Sequence, residues 1–469
     1  MLAPWQRRMH EIIQASSAAA AIAKTKKNTT ADQKLLSYEP LEIPTVNPKG
    51  RTAYPPWAMG SSEMPNGAFS MVLSAEIQRF AAFARPDQKE RIAREWVAYS
   101  VARRIRKTLK PEFWVQVFGS QRLATALATS DVDIRVFYKS NTDVWSRRSL
   151  DPIMQHIYTM MHHKFKSDFD AVIHCKGTFN IVHATHSLSG LSIQIGAVPN
   201  PNPQRNAVFH YLHTMPFLAD LYTTVRAMFG MRDLSEVFYG GCGAYSIFMM
   251  LVASLLCRGT PPLPNNGARL LHFLRFYATL DTTRHALTLS PPKAFPKHGP
   301  ETHDLLDRHV AVSDPFRAAR WSLGRSSPSQ PYLLCLQDPA DPANDLGKKM
   351  HAILHVRETC RALLHQLEQA RDAPASPAPA SLLEPVVGAF HDMYAAQRAR
   401  LRAYGLHLEQ GSYEGTGWKD DLDAGHFPDD VDMGSVFAGA GKGGSEGVSV
   451  EDEHAESSTA EGEHTESSN

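Results

Sequence analysis

The chain has no CxxC pair and only five cysteines in 469 residues. That argues against a disulfide framework and against a zinc ribbon. Long apolar runs are missing too. The longest, residues 244–256, is thirteen residues broken by two serines, short of the ~18–20 that a membrane span needs; it reads as a buried core helix. No internal repeat is present, and strand signals almost vanish after Asn206. An integral membrane protein, a collagen-like fibre and a small secreted scaffold are excluded. What is there is an ordinary globular balance, 43% hydrophobic and 21% charged, with length for two to four domains.

The formal net charge of +1 hides an asymmetry. Residues 407–469 hold sixteen Asp and Glu against Lys419 and Lys442, which leaves 47 basic and 32 acidic side chains in 1–406. A body of net charge +15 with an acidic tail fits a polyanion binder; solubility alone accounts for the same charge, so both readings stay open here.

The first thirty residues carry Arg7, Arg8, Lys24, Lys26 and Lys27 against Glu11. A weakly helical or disordered N-terminus and an organellar transit peptide are the alternatives. Residues 40–66 are rich in Pro, Asn and Gly and read as an irregular arm. Leu73, Ile77, Phe80 and Phe83 recur at helical spacing up to Pro86, and a second helix is expected over 88–109, with Arg103, Arg104, Arg106 and Lys107 on its exposed side. Short strands are expected at 114–118, 134–138, 171–174, 180–183 and 191–195. Helices follow at 206–230, 243–258, 265–280, 347–370 and 383–404, with a Pro/Ala/Ser linker at 373–381 and a Gly-rich acidic tail expected to be disordered.

The sharpest chemical signal is Val117-Phe118-Gly119-Ser120 followed by Thr129-Ser130-Asp131-Val132-Asp133-Ile134. Strand residues alternate faces, so Asp131 and Asp133 project from one side. Two carboxylates held that close repel unless a cation lies between them, and Mg²⁺ takes hard oxygen ligands of this kind. Glycine at 119 lets backbone amides approach a phosphate, and the Ser120 hydroxyl can donate to it. A surface strand with two solvated aspartates is the plainer account of Asp-x-Asp alone. Gly-Ser after an apolar strand, at this distance, favours the chemical account. His174, Cys175, His183 and His186 have ligand-type side chains but read as ordinary surface and core residues, because neighbours 174 and 175 point to opposite strand faces.

In these residues the sequence resembles the DNA polymerase β superfamily, and within it the RNA terminal nucleotidyltransferases, the poly(A) RNA polymerases of the nuclear RNA-surveillance type. The family pattern is an aromatic residue, Gly-Ser, ten residues, then Asp-x-Asp; 118–133 fits it without a gap. Residues 234–241 with Tyr245 resemble the family segment ending in Gly-Gly and then Ser-Tyr. The stretch from Leu336-Gln337-Asp338-Pro339 to Asn344-Asp345-Leu346-Gly347 resembles its nucleotide-recognition loop. The similarity covers about residues 73–370.

The resemblance implies an α+β architecture: a polymerase-β-like nucleotidyltransferase palm over 86–205, and an all-helical PAP-associated domain from 67–85 and 206–372. Around them would lie an irregular arm over 1–66, a linker and C-terminal helix over 373–405, and a disordered acidic tail over 406–469. It also implies Mg²⁺ (or Mn²⁺) held by Asp131 and Asp133 as catalytic residues. ATP would be the substrate, with nucleotide-binding roles for Gly119, Ser120, Arg226, Tyr245, Asn344 and Asp345. A solvated helix charge at Arg226, a core tyrosine at 245 and plain turn chemistry at 344–345 are the competing accounts. RNA 3′ ends and an RNA-binding partner protein are the expected partners, no membrane is expected, and localisation is nuclear, with mitochondrion the alternative.

The sequence departs from the family at its third carboxylate. Leu191-Ser192-Ile193-Gln194-Ile195 occupies that strand, so Gln194 stands where the family has aspartate. Glutamine can offer a carbonyl oxygen but cannot take a proton from an attacking hydroxyl. The usual Thr-Gly after Gly-Ser is Leu123-Ala124, and the Ser before the stacking Tyr is Ala244. Two functions follow: a template-independent enzyme adding AMP to RNA 3′ ends, and a catalytically impaired relative that binds nucleotide or RNA as a scaffold.

Overall fold

The computed structural model describes residues 55–60, 69–123, 125–138, 147–175, 180–197, 202–237, 240–257, 262–297, 330–341, 344–372 and 381–410. All lie within one compact unit, Met1–Gly415. The basic N-terminal segment, the linker and the acidic tail beyond 410 fall outside the described residues, as do Ala124, Phe238, Tyr239, Pro342 and Ala343.

Helix α1 (Phe69–Ala84) buries Leu73, Ile77, Phe80 and Ala84 completely; Pro86 follows. Helix α2 (Gln88–Thr108) starts in a reciprocal capping box, Asp87 with Glu90. This satisfies two backbone N–H groups that have no partner within the helix. Next come β1 (Phe113–Phe118), β2 (Val132–Tyr138), α3 (Arg147–Thr159), β3 (Phe169–Cys175), β4 (Ile181–His186) and β5 (Ser192–Ala197). The five strands form one sheet in the order β1-β2-β5-β4-β3, with only β2 and β5 parallel. Val132, Ile134, Val136, Ile193, Ile195 and Val182 are fully buried on one face, in a core shared with Val97, Val101 and Ile105 of α2 and Met154 and Ile157 of α3. Fully burying each such side chain is worth roughly 1.5–3 kcal/mol. The alternate positions form the opposite face, which carries the candidate site.

Helices α4 (Asn202–Thr214), α5 (Leu218–Gly230), α6 (Ala244–Leu256), α7 (Asn266–Thr279) and α8 (Ile353–Asp372) follow. With α1 they enclose a second core around Phe229, Phe248, Phe273 and Tyr277. Helix α6 buries an unbroken run, residues 247–255. Among the described residues no helix is long and apolar enough to cross a membrane.

The structure corrects the sequence reading in five places. The single helix expected over 206–230 is two, because Pro216 lacks the N–H needed to continue the first. Strands do occur after Asn206: β6 (His285–Leu289) and β7 (Pro292–Pro296) pair as a hairpin, each too short to show a period. Helix α3 was hidden by Pro152 inside it. The helix expected over 383–404 is two short turns, Glu384–Val387 and Phe390–Met393, followed by α9 (Ala395–Glu409); Gly388 at φ 58° breaks the run. Helix α9 thereby extends past 405, packs along α2 and adds Leu401, Tyr404 and Leu408 to the core under the sheet. Finally, the arm is not all peripheral. Trp57 is fully buried, meets Phe80 edge-on at 5.0 Å, and donates from Nε1 to Ser381 Oγ at 3.2 Å.

Candidate functional site

Strand β1 ends at Phe118 and the chain turns at once into a single helical turn, Gly119–Arg122. Gly119 has φ +67°, and a Cβ added there would stand 2.2 Å from Asp133 Oδ2. Any other residue would be strained and would displace that carboxylate. Phe118 pairs with Asp133, Asp133 with Gln194 on β5, and Gln194 with His183 on β4. The expected aspartate and its glutamine neighbour are therefore cross-strand partners. Asp131 precedes β2 and is exposed. Asp168 and Asp170 are not near: they belong to the edge strand β3 and its approach, where Asp168 pairs with Arg104 and Asp170 with Arg400.

Burial pushes the Asp133 carboxyl up to about 6; Asp131 adds to the shift, while Arg135, Arg226 and Arg94 oppose it. Arg226, on α5, thus acts on Asp133 through its charge. A hollow at this cleft is lined by Gly119, Ser120, Thr125, Arg205, Tyr222 and Tyr245. Three of the expected site residues, Gly119, Ser120 and Tyr245, meet there.

Asn344 and Asp345 are joined to this hollow through a residue that the sequence reading quoted without assigning it a role. Asp338 is fully buried. Its Oδ1 accepts from the Tyr245 hydroxyl at 2.7 Å and from Ala340 N–H at 2.9 Å, and its Oδ2 accepts from Asn344 Nδ2 at 2.9 Å. Lys348 Nζ donates to Asn344 Oδ1 at 3.0 Å. Both ends of the Asn344 amide are thus oriented by the protein. Asp345 differs from its expected nucleotide-facing role. Its Oδ1 accepts from the N–H groups of Leu336 and Gly347, at 3.0 and 2.8 Å, so this carboxylate shapes the loop.

Arg94 also escaped the sequence reading. Fully buried on α2, it donates from Nε to Gln121 Oε1 at 2.8 Å. From its two Nη atoms it donates to the carbonyls of Ala128, Ser130 and Asp131, at 3.1, 2.6 and 3.2 Å. It fastens the loop between Ser120 and the carboxylates. No local pattern distinguishes it from the other arginines of a basic helix. Of the arginines expected to offer a surface to RNA, Arg104 is taken by Asp168, whereas Arg103 and Lys107 are exposed. Among the described residues no group of three or more His, Cys, Asp and Glu side chains could hold a metal ion. His174 instead bonds Asn180, and His186 bonds Ser189.

Comparison with known proteins bears on these features. The family described as "Cid1 family poly A polymerase" matches residues 267–344. The Schizosaccharomyces pombe protein "Poly(A) RNA polymerase cid14" is 24% identical over 301 residues, 62% of this chain and 40% of that protein. The Saccharomyces cerevisiae "Poly(A) RNA polymerase protein 2" is 22% identical over 312 residues, 65% of this chain and 49% of that one. The match thus spans less than half the length of both. A Drosophila melanogaster relative described as inactive, Trf4-2, is 22% identical over 335 residues, 68% of this chain and 74% of its own length. Among solved structures, the polymerase core of TRAMP, an RNA surveillance complex, superposes with a TM-score of 0.56 at 22% identity, over 71% of this chain and 99% of that one. The fold is that of this polymerase core, a mixed sheet set against a helical domain, and within the chain residues 267–344 are similar to the Cid1 family of poly A polymerases.

Proposed function

We propose that this protein is a template-independent nucleotidyltransferase that adds AMP from ATP to RNA 3′ ends, acting in the nucleus with a partner protein that helps hold the RNA. The observation that carries this reading is Asp133, two residues from Asp131, set against Gly119, which with Ser120 and Tyr245 lines the hollow. Two carboxylates in mutual repulsion, one of them pushed up to about 6 mainly by burial, are a donor pair that one hard divalent cation relieves. The residues fit one Mg²⁺ or Mn²⁺ ion held by Asp131 and Asp133. They supply no third carboxylate, because Gln194 is neutral. When bound, the ion supplies positive charge against the charge that develops on the reacting phosphate.

The chain's own residues do the rest. Gly119 and Ser120 receive the triphosphate, with Arg226 facing it from α5. Tyr245 supports the base, held in place by Asp338. Arg94 fixes the loop carrying Asp131, so the carboxylates are positioned before substrate arrives. Pre-set polar groups of this kind commonly contribute ~10²–10³ in rate each. Gln194 beside Asp133 favours a second reading, a nucleotide- or RNA-binding scaffold with little transfer activity.

Incorporation of labelled ATP into an oligo(A) primer, with Mg²⁺ or Mn²⁺, separates the two. Extension by the wild-type chain is expected, and Gln194→Asp should extend faster. A folded, ATP-binding wild type that never extends the primer leaves the scaffold.

Base choice is testable separately. In the family a histidine at the place of Asn344 accompanies uridine addition. Here the Asn344 amide, oriented by Asp338 and Lys348, offers its second N–H to an adenine edge. One placed hydrogen-bonding side chain is worth ~1–3 kcal/mol of discrimination between bases. ATP should therefore bind roughly tenfold more tightly than UTP, and Asn344→His should narrow that gap. Equal affinities unmoved by the substitution would reduce the loop to a turn.

A further inference from the structure

The strand that carries Asp133 places a second charged residue on the same face two positions on. Arg135 follows the pleat, so it shares the open face with Asp133. Its cross-strand neighbours are Gln116 on β1 and Gly196 on β5. Gly196 has no side chain for a reason visible at Arg135: a Cβ there would stand 2.4 Å from Arg135 Nη1. The sheet has a notch, and the guanidinium fills it. The same guanidinium lies 5.4 Å from the centre of the Phe118 ring, and Phe118 is the residue directly opposite Asp133. Among the described residues the Arg135 side chain makes no ion pair and no hydrogen bond, so its charge is not committed to a partner elsewhere. Gln194 and Arg135 therefore alter one site in the same direction. One leaves out a negative charge beside Asp133 and the other adds a positive charge on the same strand face.

We propose that Arg135 is a standing counter-charge for Asp133 that competes with the divalent cation, so that the carboxylate pair binds the free ion weakly. The inference rests on the reading of Asp131 and Asp133 as the ion-holding pair. Fixed positive charge within several ångströms of a divalent ion opposes its binding directly. The ion then enters most readily with a nucleoside triphosphate, whose own negative charge offsets the arginine. Arg135 acts here as a positioning residue for charge, without touching the reacting atoms.

The test is the affinity of the full-length chain for Mn²⁺ without nucleotide, measured by the paramagnetic resonance of the free ion. Arg135→Leu should bind Mn²⁺ on the order of tenfold more tightly than wild type. Arg135→Lys, which keeps the charge, should stay close to wild type. Arg135→Gln removes the charge with a polar side chain and should behave as Arg135→Leu does, which covers the case in which leucine on the open face impairs folding. An affinity for Arg135→Leu or Arg135→Gln within twofold of wild type overturns the proposal. So does tightening by Arg135→Lys to the same extent, and so does a failure of both neutral variants to bind Mn²⁺ at all. Primer extension by the same preparations is a separate readout. Tighter Mn²⁺ binding with no extension would sink the transfer reading and leave the counter-charge standing.

Discussion

Asp133→Asn is expected to abolish nucleotide transfer and to raise the melting temperature. The two effects have one cause. The Asp133 carboxylate fills the space a Cβ on Gly119 would take, near the charge of Asp131, in a setting where burial lifts its pKa to about 6. An unfolded chain would titrate it near the ordinary aspartate value of about 3.9. Between those two values the folded protein binds more protons than the unfolded one. Stability therefore falls as pH rises through that window, and the loss is complete above about 6. An amide of the same shape carries no such penalty. Two pH units correspond to about 3 kcal/mol at most; discounted for partial solvent access, about 1–2 kcal/mol of stabilisation is expected at pH 7.5.

The melting temperature should rise by a few degrees, and the advantage of the variant should shrink at pH 4. Transfer, by contrast, should fall by ~10³-fold or more, because the group proposed to hold the ion is gone. Thermal melts at several pH values, run beside primer extension, check both halves. A variant that melts lower than wild type would mean that Asp133 stabilises the fold. Full activity in the variant would remove it from the site.

Arg398→Met should be the most damaging single change to the fold, at ~3–5 kcal/mol. Its guanidinium makes a two-point contact with Glu90, Nε to Oε1 at 2.7 Å and Nη2 to Oε2 at 2.8 Å, with side chains 4% and 0% exposed. The same group donates to the Phe83 carbonyl at 2.6 Å and lies over the Phe83 ring at 4.7 Å. Glu90 is also half of the capping box that starts α2. One ion pair thus joins the end of α1, the start of α2 and the C-terminal helix α9. Removing the arginine strips the interior carboxylate of its two-point partner and leaves it only the Asp87 N–H at 2.8 Å and Arg402 at 3.4 Å, which costs more than the pair itself contributes.

Replacing both, Arg398→Met with Glu90→Gln, should recover much of the loss. Urea unfolding of the wild type, the two single variants and the double variant closes the cycle. A loss below about 1 kcal/mol for Arg398→Met would show that α9 is held by its apolar residues Leu401, Tyr404 and Leu408 alone.

The sequence by itself determined the local pieces. Alternating apolar residues bounded by turns located all five strands of the sheet. The 3.6-residue stripe located α1, and the apolar run over 244–256 located α6. The spacing from Gly119-Ser120 to Asp131 and Asp133 singled out a candidate site, because strand, turn and strand are close in the chain. The resemblance put Gln194 at the place of the third carboxylate, and the strand register of the fold pairs it with Asp133.

Tertiary structure decided the rest. The partners of Arg94 lie 27 to 37 residues away, Tyr245 and Asp338 are 93 apart, and Arg398 and Glu90 are 308 apart. No periodicity encodes such pairs. No local pattern marks Arg135; the strand pairing sets it against Gly196 and its guanidinium lies beside the Phe118 ring. Asp345 had the right residue type for a ligand contact, yet the fold turned its carboxylate onto two backbone amides. Local pattern fixes which face a residue takes. What stands on that face with it depends on chain segments brought together only by packing, and at this site that decides how the carboxylates are charged.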